Sequence, residues 1–289
     1  MFSRKPSALV AQAMCVGALA TVVATATPAS AQTIVPCSPS DLSTAITNAS
    51  AGESLVLARG CTYKLLTPLP AIQTTITIVG RNSTITRDDL QAGSFGILSV
   101  APSGNLTLTN TTITKGDAPD FGGGIANHGR LTVTGSDIRD NHANFSGGIG
   151  GGSGTVTRIV NTSIVHNTAN VNGGGVANDG DMTIVNSRIT DNTATNGVGG
   201  GLANDGVLRI VNTDVNVNHA PGNRAGGVAN VGGGTTSITS SNVNNNTAAL
   251  APGGVLNSGG SVTLIASRVR GNVPTNCAGS DIVVPNCAG

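Results

Sequence analysis

The chain of 289 residues holds 41 glycines and 38% hydrophobic residues, yet no Trp, one Tyr and four Phe, which excludes a conventional core built round aromatic side chains. Only 10% of the residues are charged and the formal net charge is +1, so the basic surface that nucleic acid requires is missing. Regularly spaced β-branched residues exclude a disordered chain of the same low charge.

Residues 1–31 read as a signal peptide. Arg4 and Lys5 begin it, the uncharged Ala8–Ala26 stretch follows, and Ala29-Ser30-Ala31 is a small-x-small cleavage site before Gln32. Removing it takes away Cys15 and leaves four cysteines, Cys37, Cys61, Cys277 and Cys287, an even number suited to disulfides in an exported protein. Of the three pairings, Cys37–Cys61 with Cys277–Cys287 fits best, since each pair would staple one end of the chain. The spacings do not suit a zinc site. No later stretch is long and apolar enough to span a membrane.

Residues 32–64 are expected to form an N-terminal cap. Ser38 is its helix N-cap, Pro39 the first helical position and Asp41 an acid in the first turn, with the helix running from Asp41 to Ala49. Ser54–Ala58 follows as the first strand. Such a helix would cover an open sheet edge that otherwise recruits other strands.

Residues 65–273 are dominated by a repeat of about 26 residues. Starting at Ile113, the aliphatic members Ile138, Ile164, Ile189, Val215, Val243 and Val269 step by 25, 26, 25, 26, 28 and 26 residues. Three positions after each comes a turn residue: Gly116, then Asn141, Asn167, Asn192, Asn218, Asn246 and Asn272. A second line runs Ile125-Ala126-Asn127, Val176-Ala177-Asn178, Leu202-Ala203-Asn204, Val228-Ala229-Asn230 and Val255-Leu256-Asn257, with a degraded GGIGGG copy around Ile149. A third joins Leu108, Val133, Ile159, Ile184, Ile210, Ile238 and Leu264.

Three short strands per period, separated by Gly/Asn turns, predict an all-β fold, a right-handed parallel β-helix of about eight coils rising ~4.8 Å each. Ile and Val fill its interior. Ser or Thr two positions before each aliphatic residue forms an interior hydroxyl ladder, and the turn asparagines stack as an amide ladder. Residues 274–289, bracketed by Asn276-Cys277 and Asn286-Cys287, are expected to close the far end. Phe95, Phe121 and Phe145 read as fillers rather than ligand platforms.

With these repeats laid out, the chain resembles the right-handed β-helix proteins of the pectate-lyase-like superfold. The N-terminal run Leu42…Ala45-Ile46…Ala49…Gly52…Leu55…Gly60-Cys61-Thr62-Tyr63 is similar to the start of that superfold. The GG-x-[ILV] and [IV]-x-x-N elements look like the repeats of bacterial polymorphic outer-membrane proteins. That resemblance, covering about residues 38–289, implies the fold, and implies a free secreted relative because the chain stops before any membrane barrel. Lyases of the superfold need clustered carboxylates for Ca²⁺ and an Arg or Lys base; its hydrolases carry N-T-D, D-D, G-H-G and R-I-K in order. Asn212-Thr213-Asp214 spells the first element, but no D-D or G-H-G follows, and the sister coils read Thr162-Ser163 and Ser187-Arg188 at the same place. It reads as repeat drift.

Two polar columns are candidates for chemistry. Asp140, His166 and Asp191 occupy one position in three consecutive coils, where His166 could bridge two carboxylates as an acid–base or weak metal site; the bland alternative is a solvated surface ladder. Asp179 and Asp205 stack beside glycines and could share Ca²⁺, though one pair falls far short of a full shell. Arg188 above Asp214 reads as a surface ion pair. No cofactor is expected. The sequence favours a secreted, non-catalytic protein, adhesin-like or structural, whose partners would be a cell-wall or extracellular glycan or a protein. A polysaccharide lyase or glycoside hydrolase is the alternative. A lattice binder comes third, because the Thr-x-Thr array at Thr107-x-Thr109 and Thr132-x-Thr134 fails in the next coils.

Overall fold

The computed structural model describes residues 31–288, so the predicted leader lies outside them except for Ala31. The architecture is a right-handed parallel β-helix of about nine turns, one more than the repeats suggest, because the N-terminal strands stack as well. Gln32–Val35 is the first strand and pairs in parallel with Glu53–Leu57, which pairs in turn with Ile76–Val79. The helix runs from Pro39 to Asn48, and the Ser38 side chain accepts a hydrogen bond from the Asp41 N–H. Its buried Leu42 and Ile46 face the end of the stack. Beneath it, Tyr63 is fully buried, donating to the Val35 carbonyl and accepting from the Ala58 N–H, each at 3.0 Å.

One coil shows the plan. Ile125–Asn127 lies in a seven-stranded sheet, Arg130–Thr134 and Asp137–Arg139 in a seventeen-stranded sheet, and His142–Phe145 in a six-stranded sheet. Strands of one residue in and one out suffice because each finds its equivalent one coil later: Ile138 pairs with Ile113 and Ile164, and Val133 with Leu108 and Ile159. The seventeen-stranded sheet holds two strand columns joined across a bend, because Thr75–Arg87 and Asn105–Thr114 run through that bend unbroken. Inside, Ile, Val and Leu form aliphatic columns that are essentially inaccessible, and a column of alanines, Ala118, Ala143, Ala169, Ala194 and Ala220, lines the six-stranded sheet.

Buried polar groups are satisfied along the axis. Asn141, Asn167, Asn192, Asn218, Asn246 and Asn272 each donate from Nδ2 to the next rung's Oδ1, at 2.9–3.0 Å, ending on Asn276. A second ladder links Asn178, Asn204, Asn230 and Asn257 in the same sense. The hydroxyl column is also in place: Ser187 Oγ accepts from the Thr162 N–H and donates to the Val185 carbonyl, and Thr213 and Ser241 repeat the pattern. Disulfides join Cys37 to Cys61 and Cys277 to Cys287. No helix among the described residues is long and apolar enough to cross a membrane.

Candidate functional site

Along four successive strands of the seven-stranded sheet the outer face carries small residues, because the middle position of each three-residue strand points outward: Ala126, Gly150, Ala177, Ala203; the last strand places Leu256 there. Ala177 and Ala203 form the floor of a groove of about 460 Å³, and the Phe121 ring lies over Gly150 beside them. One wall comes from the turn after each strand and presents His128, Gly152, Asp179, Asp205 and Val231. The opposite wall comes from the ends of the six-stranded sheet and presents Asp120, Phe121, Phe145 and Asn172. Phe121 and Phe145 are register partners in adjacent coils, brought together past a bulge in that sheet.

Phe121 explains the irregular copy around Ile149. A Cβ at position 150 would lie 2.3 Å from the Phe121 Cζ and 2.5 Å from its Cε1, so an alanine there would displace the ring. The ring crosses the floor and approaches His128 on the far wall, centroids 5.8 Å apart. At the other end, Val198, Ala225, Ala229, Val231 and Leu256 form a small apolar cluster. Beyond it, Arg224 donates to both Asp281 carboxylate oxygens at 2.8 and 3.1 Å, while Ser258 donates to the same carboxylate. Arg224 and Ser258 continue the two walls, so Asp281 ties them together and closes that end.

The groove is acidic. Asp179 and Asp205 lie one coil apart, following the paired Asn178 and Asn204, and Asp120 lies on the opposite wall. None of the three has an ion-pair partner among the described residues. Partial desolvation, with the charge of Asp205 added, raises the Asp179 carboxyl above the ordinary aspartate value. Asp205 covers Gly232, where a Cβ would collide with its carboxylate. A Ca²⁺ shell needs six to eight oxygens, and among the described residues no group of three or more His, Cys, Asp or Glu side chains is placed to hold a metal ion. The donors present do not fit that ion.

The other candidate column stands apart from the groove, at the bend between the seventeen- and six-stranded sheets. Asp140, His166 and Asp191 do stack, with His166 Nδ1 3.8 Å from Asp140 and Nε2 3.9 Å from Asp191. Those separations are too long for hydrogen bonds, and Arg139 already holds Asp140 at 2.6 Å. The backbone supplies the reason for the residue types. All three have left-handed φ of 53–55°, and Lys115, Val217, Asn245 and Gly271 at the same corner are left-handed too, with φ of 54–63°; Asp, Asn and His tolerate that region best among side-chain-bearing residues.

A tighter pair lies two positions further along the chain, on the outer face of the six-stranded sheet. His142 Nδ1 is 2.7 Å from Asp117, its Nε2 is 3.2 Å from Asn170 Oδ1, and Ser94 donates to the other Asp117 oxygen at 2.7 Å. Burial works to raise the Asp117 carboxyl, but hydrogen bonds from Ser94 and His142, with the charges of His142 and Arg87, outweigh it and hold the value below the ordinary range. The sequence signal was present, since Asp117 and His142 are 25 residues apart and register partners. The expected Arg188–Asp214 ion pair does not form: Arg188 donates to Ser163, and Asp214 accepts from Asn242. In the N-T-D segment, Asn212 takes the left-handed bend, Thr213 is a buried ladder hydroxyl, and Asp214 is exposed.

No protein-family profile and no curated protein matches the chain. Solved structures similar to it include an alginate lyase from a Paenibacillus species, 16% identical with a TM-score of 0.42, covering 85% of this chain and 97% of that one. A pectate lyase, Pel9A, is 14% identical with a TM-score of 0.41, covering 90% and 79%. The likeness is one of β-helix fold alone.

Proposed function

We propose that this is an extracellular, non-catalytic binding protein whose ligand lies along the groove of the seven-stranded sheet. The observation that carries this reading is the groove itself. It combines a floor of alanine methyls, two phenylalanines and three carboxylates without ion-pair partners, the mixture of apolar surface and a few convergent polar groups that marks a ligand site. The stacked Asp140, His166 and Asp191 lie outside it, at a corner whose backbone accounts for their identity. Two disulfides suit an oxidising, extracellular setting.

The test is calorimetric titration of a saccharide panel against the wild-type protein and Phe121→Ala, with the same saccharides assayed for reducing or unsaturated products. Saturable binding lost in Phe121→Ala, without turnover, is the expected result. Turnover abolished by Asp140→Ala or His166→Ala would replace this reading with a polysaccharide-active enzyme.

A further inference from the structure

Resting on the groove as the ligand site, we propose that its ligand is a saccharide chain carrying free primary amines, whose ammonium groups sit against Asp179 and Asp205 while sugar faces lie on Phe121, Phe145 and the alanine floor. Three features of the groove select this chemistry.

Charge comes first. Asp120, Asp179 and Asp205 face the groove, and the nearby Arg224 guanidinium is consumed by Asp281. Nothing basic in the walls except His128 offsets them, so a polyuronate would meet like charge on both sides, whereas an ammonium would relieve the repulsion between Asp179 and Asp205. The Asp179 carboxyl is raised first by burial and then by the Asp205 charge, in keeping with that arrangement.

The backbone comes second, and it separates a saccharide from a basic peptide. Extended peptides are commonly captured by main-chain hydrogen bonds to a free strand edge. Here the floor strands Ile149–Gly151, Val176–Asn178 and Leu202–Asn204 are paired on both sides, so the groove offers a peptide no open ladder. What it offers is side-chain polar groups, the carboxylates as acceptors and the amide of Asn172, whose Oδ1 already accepts from the Val198 N–H, arranged above apolar surface. That arrangement suits hydroxyls and amines projecting from a ring with C–H faces.

Spacing comes third. Asp179 and Asp205 are successive rungs of one column, ~4.8 Å apart along the axis, so the acceptors follow the groove rather than converging on a single point. A chain lying along the axis can engage both.

The experiment titrates the full-length protein with short β-1,4-linked glucosamine oligomers, their N-acetylated counterparts, neutral glucan oligomers, uronate oligomers and a lysine peptide of equal charge. Asp179→Asn, Asp205→Asn and Phe121→Ala variants are titrated in parallel after their circular dichroism and thermal unfolding have been matched to wild type. The free-amine oligomer is expected to bind roughly 10-fold or more tighter than its N-acetylated form, and each Asp→Asn change to cost about 10-fold for the amine form alone. Equal affinity for N-acetylated or neutral chains, lost in Phe121→Ala, would keep the groove and overturn the amine. Equal binding of the lysine peptide, or indifference to both Asp→Asn changes, would also overturn it. Failure of every saccharide would overturn the groove reading as well.

Discussion

Val217 is the residue least suited to its place. It occupies the same left-handed corner as Asp140, His166 and Asp191, at φ 56°, where a β-branched side chain is strained and where neighbouring coils use Asn245 and Gly271. Because Val217 is 38% exposed, little packing is lost on replacement. Val217→Asn is therefore expected to raise stability by about 1 kcal/mol, read as a higher urea midpoint at unchanged slope. The corner column was legible in the sequence as a periodicity; its left-handed backbone was not, and this is why Asp140–His166–Asp191 resembled chemistry. Gly150 teaches the converse. It looked like decay of an alanine position, but it accommodates Phe121, a residue 29 positions earlier whose ring folds over the outer face. Registers can be counted from a repeat, whereas contacts between an outward side chain and the next coil's floor depend on turn lengths that vary from coil to coil. Gly150→Ala should shift the His128 ring-proton resonances, which feel the Phe121 ring, and should have no such effect in a Phe121→Ala background. Its stability cost should stay below about 1 kcal/mol, because a partly exposed ring can swing aside.

At the scale of elements, the strands and the capping helix were readable because period-2 alternation and N-cap chemistry are local. The helix begins at Pro39 with Ser38 as its cap, where the local chemistry places them, and ends at Asn48, while the strand Gln32–Val35, ahead of the expected first strand, pairs where no repeat letter announced it. The C-terminal segment was legible only through its cysteines. Its main polar tie, Arg224 to Asp281, joins residues 57 apart and follows no period. Hydrogen bonds from Arg224 and Ser258, with the Arg224 charge added, lower the Asp281 carboxyl from the ordinary 3.8 to about 2. A depressed folded value means that this tie contributes in full above about pH 4 and is lost as the pH falls through about 2. Hydrogen exchange in residues 277–288 is expected to quicken over that interval, and Asp281→Asn should show the fast exchange already at neutral pH. Unchanged protection in the variant would show that the disulfide alone holds the segment.

The molecule as a whole is a one-dimensional stack in which each coil contacts its two neighbours, so stability is distributed along the axis rather than concentrated in a centre. The amide ladder runs through most of that length. Asn192 donates to the Ile164 carbonyl and to Asn218, and it accepts from both the backbone and the side chain of Asn167. Asn192→Ala would leave several of those buried partners unsatisfied and is expected to cost roughly 2–4 kcal/mol in equilibrium denaturation. Asn272→Ala, at the less buried end of the ladder, should cost less, and the mid-ladder variant should unfold in two resolved steps as the halves uncouple.

Each rung also has a direction. In both ladders the Oδ1 atom faces the preceding coil, so the side-chain carbonyls all point toward the N-terminal end. Aligned hydrogen-bonded amides polarise one another, and their small dipoles add along the chain of contacts. The rod therefore carries an axial electrical polarity, negative toward its N-terminal tip, that no count of charged residues reveals. Two such rods lying side by side gain most when they point in opposite directions.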